Sequence, residues 1–360
     1  PKYLWIKIMA YSSIAKPTDY FNTKLTTGTG SSQAVTGVGF QPDWIWGKRR
    51  DSSGNNSLFD SVRGITKGLE SNGTGAEFTS TDYYSSFDSD GFTIAAGSSG
   101  AGNGSSQTAV QWCWKAGNSS GSSNTAGDIN STVSVNTTAG FSIVSYTGNG
   151  STNQTVGHGL GSVPDFIIIK QRNTTRNWPT YTKALGNGVA FLDINDAWNG
   201  GSGYTNYWYL SGMTSTTFGI SNNDNNNASG GTYIAYCFAA KKGYSKFGTY
   251  TGNNDADGTF VYTGFRPKFI VTKPSNLADN WQIIDGVINP FNTMDTHLFT
   301  NLNASAQTTS SYNFDMYSNG FKGRTNNSAY NGAYNYLFIA FAANPFVAND
   351  SGTAVPVTAL

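Results

Sequence analysis

Apolar residues in this chain fall in short runs of about four to seven, with clusters of Gly, Asn, Ser and Asp between them. Apolar residues at helical spacing are nearly absent. Short runs bounded by turn residues predict strands, and their regular return predicts an all-β sandwich or barrel. The run Phe166-Ile167-Ile168-Ile169 is continuously apolar, as a strand buried on both faces should be. Tyr233 to Ala239 reads the same way, so these two strands are expected at the centre of their sandwich.

The pattern is written three times. Pro42-Asp43-Trp44-Ile45, Pro164-Asp165-Phe166-Ile167 and Pro267-Lys268-Phe269-Ile270 each open a segment Pro-x-aromatic-Ile-x-x-Lys, which closes on Lys48, Lys170 and Lys273. The spacings are 122 and 103 residues. A turn precedes each proline: Thr27 to Gly30, Tyr146 to Gly150, and Tyr250 to Asn253. Each copy ends on an apolar strand around Trp112-Cys113-Trp114, Tyr236-Cys237-Phe238 or Ile339-Ala340-Phe341, with offsets of 124 and 103. Periods this long are whole domains rather than solenoid units. The prediction is three tandem jelly-roll-like β-sandwich repeats, over residues 19–116, 141–241 and 244–347. Residues 1–18 read as an N-terminal arm, 117–140 as a Ser/Gly/Thr-rich linker, and 348–360 as a C-terminal tail. The long first joint and the two-residue second joint predict one hinged or separately anchored module and a rigid pair.

Composition narrows the function classes. Charged residues are 12% and aromatics 14% of the chain, with a net charge of +1. No basic stripe points to nucleic acid; the nearest cluster is Lys48-Arg49-Arg50. No apolar run approaches the roughly 20 residues of a membrane helix. Pro1 to Ile8 lacks the form of a signal peptide, and Met9 is an expected alternative start. Cys113 and Cys237 occupy one position in two copies, where the third has Ala340. Equivalent positions in separate domains do not approach closely enough for a disulfide, so both read as small buried thiols.

Candidate chemistry is sparse. His158 sits in a glycine turn and His297 in a strand, neither beside a recognisable nucleophile. Asp88-Ser89-Asp90-Gly91 and Asp255-Ala256-Asp257-Gly258 carry oxygen ligands at alternate positions, but both depart from a calcium loop. They occupy different places in their copies, so Asx-rich turns are the expectation. Asp193 and Asp196 are the carboxylates nearest to a glycosidase pair. No catalytic residue, cofactor or metal is assigned. Trp198, Tyr204, Tyr207, Trp208 and Tyr209 cluster in the second copy, and Tyr83 with Tyr84 in the first. Their rings suit sugar stacking or a protein interface; the competing and favoured expectation is that they line the sandwich core or lock strands together.

With these landmarks laid out, the chain resembles repeat-containing virion structural, tail fibre-like proteins of marine tailed bacteriophages of the cyanophage and pelagiphage type. The resemblance rests on Met9-Ala10-Tyr11-Ser12-Ser13-Ile14, Pro17-Thr18-Asp19-Tyr20-Phe21-Asn22, and Gly39-Phe40-Gln41-Pro42-Asp43-Trp44. It continues in Leu58-Phe59-Asp60-Ser61-Val62-Arg63-Gly64, Trp112-Cys113-Trp114-Lys115-Ala116-Gly117, Asn289-Pro290-Phe291-Asn292 and Ile339-Ala340-Phe341-Ala342. It covers nearly the whole chain and supplies no catalytic residues. It implies a non-enzymatic virion protein assembled in the host bacterial cytoplasm, as a tail fibre or surface appendage contacting the host. Capsid decoration or cement is the alternative, and a polysaccharide-degrading tail enzyme a third reading. The implied partners are other virion proteins, further copies of the chain and a host-surface glycan, with no nucleic acid and no membrane insertion.

Overall fold

Each Pro-x-aromatic-Ile-x-x-Lys segment forms a strand: Trp44–Arg49, Phe166–Gln171, and the middle of Phe265–Pro274. Each pairs antiparallel with its closing strand, Thr108–Trp114, Thr232–Phe238 or Asn335–Pro345. The register is the same in all three copies: Trp44 opposite Trp114, Phe166 opposite Phe238, Phe269 opposite Phe341. Pro267 lies inside its longer strand, at a register shift, where a missing N–H costs no ladder bond. The computed structural model describes residues 12, 14–97, 100–199, 204, 206–345, 347–350 and 353–356. Residues 1–11, with Met9 and most of the expected arm, lie outside them.

The chain is an all-β sandwich protein. The first copy builds a six-stranded sheet in the order Phe21–Thr27, Thr108–Trp114, Trp44–Arg49, Asn56–Asp60, Lys67–Glu70, Phe78–Thr79. The third repeats that order with Ser245–Thr251, Asn335–Pro345, Phe265–Pro274, Gln282–Asp285, Thr296–Phe299 and Gln307–Thr308. The second runs Phe141–Thr147, Thr232–Phe238, Phe166–Gln171, Pro179–Thr182, Ala190–Phe191, preceded by two extra edge strands. Those extra strands are Ser122–Asn124 and Ser131–Asn136. Ser122–Asn124 pairs with Ser131–Asn136, which pairs in turn with Phe141–Thr147, and this corrects the linker reading of 117–140. Ser131 and Val133 are buried on either side of exposed Thr132, the start of a strand pattern that the Ser/Thr composition hides. A small sheet covers the outer face of each large one: Gln33–Val35, Gly91–Ile94 and Tyr84–Asp88; Gln154–Gly157 with Thr217–Ile220; Phe260–Tyr262, Gly320–Gly323 and Phe314–Tyr317. A hairpin of Val347–Asp350 and Thr353–Pro356 occupies part of the expected tail.

Side-chain alternation along the motif strand explains its two apolar residues. Successive residues point to opposite faces of a sheet. Ile45, Ile167 and Ile270 enter three separate cores beneath the small sheets, where Cys113, Cys237 and Ala340 join them. Trp44, Phe166 and Phe269 point the other way, into one core shared by all three copies. Trp114, Phe238 and Phe341 meet them there. Rings touch across every pair of copies: Trp44 on Tyr236 at 4.3 Å, Phe238 on Phe341 at 5.9 Å, Phe21 on Phe341 at 5.1 Å. Each such aromatic contact contributes about 0.5–1.5 kcal/mol beyond the area it buries. The three lobes therefore close into a ring around a common aromatic centre.

The motif lysine and the residue eight positions on bind the ring together. Lys170 Nζ donates to Thr74 O of lobe one (2.8 Å) and to Arg176 O (2.6 Å); Lys273 Nζ donates to Asn195 O of lobe two (3.3 Å). Lys48 donates to Gly54 O, and Gly54 N in turn donates to Asn303 O of lobe three (2.7 Å). Burial pushes each ammonium down to about 8. Trp178 Nε1 donates to Glu70 O and Gly73 O of lobe one; Trp281 Nε1 donates to Phe191 O of lobe two. Asn56 holds the third such position and donates to Thr300 O and Leu302 O of lobe three. The first joint is thus as firmly packed as the second. The expected hinge is corrected, because every copy buries its inner face against both others.

Candidate functional site

The predicted aromatic cluster is distributed through the interior. Tyr207 and Trp208 are buried in the core of lobe two, against Phe191 (5.7 Å) and Tyr181 (5.5 Å). Tyr204 is half-buried and stacks on Tyr207 at 6.3 Å. Tyr209 N donates to Gly219 O, which holds its loop on the small sheet. Trp198 packs against the shared core, and its N–H donates to Ser275 O of lobe three. Tyr84 is fully buried and donates to Gln111 Oε1 (2.6 Å), while Tyr83 sits between Phe59 and Phe78. Of the seven, Tyr204 and Tyr207 come together, and none forms an open stacking surface.

The exposed aromatics are elsewhere. Phe260 and Tyr262 are 44% and 50% exposed on the edge strand of the small sheet in lobe three, and Phe291 is 81% exposed. Val261 between them faces inward and pairs with Phe321, as Val35 pairs with Phe92 and Val156 with Phe218. Aligning the copies on these valines puts Ala34 and Thr36, or Thr155 and Gly157, where lobe three has Phe260 and Tyr262. That comparison was available in the sequence. Tyr317 flanks Phe260 at 5.8 Å, and Lys246 Nζ lies 5.3 Å over the Tyr262 ring.

A cleft of about 480 Å³ opens where lobe two meets lobe one. One wall is the loop after the motif strand, with Arg176; the other carries Asn223, Asp224 and Asn225; Thr74 of lobe one lies at its side. The walls are fixed. Arg176 N donates to Thr74 O (2.9 Å), and Arg176 O accepts from Lys170. Arg176 Nη2 reaches across to Asp224 Oδ2 at 2.8 Å. Asn225 Nδ2 donates to Tyr207 Oη (3.1 Å) and Asn223 Oδ1 (3.0 Å). Behind this wall Asn227 is fully buried and binds the turn at Asn149 and Ser151. Asn103 and Asn331 do the same for the turns of lobes one and three.

A family model described as a domain of unknown function, DUF7483, matches residues 16–345. The chain belongs to this family. No curated protein and no solved structure matches it. The matched span ends with the closing strand of lobe three, so the DUF7483 unit is the whole three-lobed ring.

The remaining candidates serve that ring. His158 Nδ1 accepts from Leu160 N (3.1 Å), which leaves Nε2 to donate to Thr214 O (3.3 Å). His297 lies against Tyr312 at 4.0 Å, and neither ring nitrogen has a hydrogen-bond partner. Burial pushes both imidazoles down to about 4. Asp90 accepts from Gly37 N and Gly39 N, and Asp257 pairs with Lys322 and Arg324, so these carboxylates are spent on turns. Among the described residues no group of three or more His, Cys, Asp or Glu could hold a metal ion. Asp193 is buried and accepts from Trp178 N and Asn177 Nδ2, both at 2.8 Å, which positions the Trp178 bridge. Asp196 acts on the Lys273 charge. Cys113 and Cys237 are free and buried, and burial raises both thiols well above the ordinary range.

Proposed function

We propose that this chain is a non-enzymatic structural protein of a bacteriophage particle, carried on a tail fibre or other surface appendage that contacts the host. The closed ring of three lobes on one aromatic core is the observation that favours this reading. A body so built holds three related outer surfaces in fixed orientation, as a rigid knob for attachment requires. Several copies of such a rigid body on one appendage raise avidity through effective concentration. The resemblance to tail fibre-like virion proteins, carried by segments such as Leu58 to Gly64 and Trp112 to Gly117, points the same way. The partners on this reading are other virion proteins and a host-surface glycan.

Antibody labelling and imaging of purified particles test the proposal. Label on the tail or its appendages supports it. Label spread over the capsid faces favours capsid decoration instead, and absence of the chain from purified particles overturns both. Release of reducing ends from host polysaccharide by the purified protein would overturn the non-enzymatic part.

A further inference from the structure

We infer that the asparagine-lined cleft between lobes one and two binds a neutral oligosaccharide. The inference rests on the attachment reading and adds the lobe, the residues and the ligand chemistry. The cleft volume of about 480 Å³ falls within the roughly 300–1,000 Å³ of small-ligand sites. Five of its nine lining residues are asparagine, and no aliphatic or aromatic side chain lines it. An amide offers a donor and an acceptor in one plane, and a sugar hydroxyl needs both. Charge selects further. Arg176 and Asp224 neutralise each other at 2.8 Å, so an anion would meet Asp224 and a cation would meet Arg176.

The Arg176 side chain is 41% exposed beside the lining asparagines, so guanidinium donors and amide donors and acceptors face the cleft together. The site is also preorganised, because backbone bonds to Thr74 and Lys170 hold Arg176 while Tyr207 and Asn223 hold Asn225. The other lobes lack it. Arg176 and Asp224 align with Gly54 and Gly100 in lobe one. In lobe three they align with Asp279 and Ser328, which bond each other at 2.9 Å.

The test uses the purified full chain on an array of neutral oligosaccharides, with calorimetry on the strongest binder. Inorganic phosphate and polygalacturonate serve as charged probes. Asn225→Ala and Arg176→Ala are expected to weaken neutral-sugar binding by about tenfold, the loss of one or two hydrogen bonds. Asn206→Ala, at an exposed lining position, gives a smaller loss without disturbing the fold, and Ser328→Ala in lobe three gives none. Binding of the charged probes in place of neutral sugars, sugar binding indifferent to Asn225 and Asn206, or no binder on the array would each overturn the inference. Particle labelling is independent of all three, so attachment and cleft can fail separately.

Discussion

Between lobes one and two, Asp60, Arg63 and Tyr236 meet inside the shared core; at the same places between lobes two and three stand Thr182, Leu185 and Ile339. The equivalence follows from the sheets, since Asp60 lies opposite Trp44 as Thr182 lies opposite Phe166. Tyr236 donates to Asp60 at 2.8 Å, Arg63 bonds Asp60 and Leu58 O, and Glu77 joins Arg63 to Arg172. Burial works against the Arg63 charge, but Asp60, Tyr236 and Glu77 outweigh it and hold its pKa above the ordinary range. Across the other junction, among the described residues, no ion pair forms. Phe166 stacks on Phe247, and Thr300 Oγ1 donates to Leu192 O. One fold position thus accepts a charge network, hydrocarbon or, between lobes three and one, a carboxylate held by hydrogen bonds alone: Asp285, opposite Phe269, is buried and accepts from Trp112 Nε1 (2.7 Å) and Thr23 Oγ1 (2.9 Å).

The largest expected effects come from breaking either junction at its anchor. Arg63→Ala leaves Asp60 buried and unpaired, and is expected to destabilise by about 3–5 kcal/mol. Trp281→Ala opens a cavity at the other junction, at a similar cost of about 3–5 kcal/mol. Urea titration followed by tryptophan fluorescence measures both. Each variant should shift a single transition of the whole body; two separated transitions would mean that the lobes fold independently. Converting the first junction toward the second, with Asp60→Thr, Arg63→Leu and Tyr236→Phe together, should cost less than Arg63→Ala alone.

Acid sharpens the contrast between lobes two and three. The His158 and His297 pKa values lie near 4 when folded, against about 6.5 when unfolded. The unfolded chain therefore takes up protons first as pH falls. Stability is complete above pH 6.5 and drains away between 6.5 and 4, by up to about 3 kcal/mol per imidazole. His297→Phe should flatten part of that slope and cost little at pH 7, since no bond to the ring is lost. His158→Phe should flatten it too, but at the expense of the Leu160 and Thr214 bonds. Equal costs at pH 7 would contradict this assignment.

Smaller effects probe the equivalence of the lobes. A Cβ at Gly28, Gly148 or Gly252 would collide with the carbonyl of Gly104, Ala228 or Gly332. Each Gly→Ala change should cost about 1–3 kcal/mol, and unequal losses would show that the three turns are not interchangeable. Cys113→Ala and Cys237→Ala should be mildest, about 1 kcal/mol or less, because Ala340 already fills that place in lobe three.

The strands were legible because their apolar runs are short and their landmarks recur in order. The common core was not. Trp44 and Ile45 both read as buried, and nothing in the pattern says that one faces two other lobes while its neighbour stays at home. The strands at Ser122 and Ser131 were masked by Ser and Thr, which pack against a sheet as well as they solvate a loop. Lys48, Lys170 and Lys273 looked like charged strand ends, yet each is buried on carbonyl oxygens. The aromatic clusters misled for the opposite reason: Tyr and Trp carry a polar edge, so their neighbours do not reveal which way the ring turns. The cleft was the least accessible, since its asparagines come from separate loops and resemble ordinary turn residues until the fold gathers them.

One contact has a mechanical consequence. Ser12 and Pro345, at the two ends of the ring, both pack on Gly243, and Ser12 Oγ donates to Lys242 O at 3.0 Å. A pull on the segments flanking the ring therefore enters and leaves at one spot on its rim. The line of force crosses the short gap between Ser12 and Pro345. Tension that would string out three beads in a row instead tugs at a single knot, and the lobes keep their mutual orientation under load.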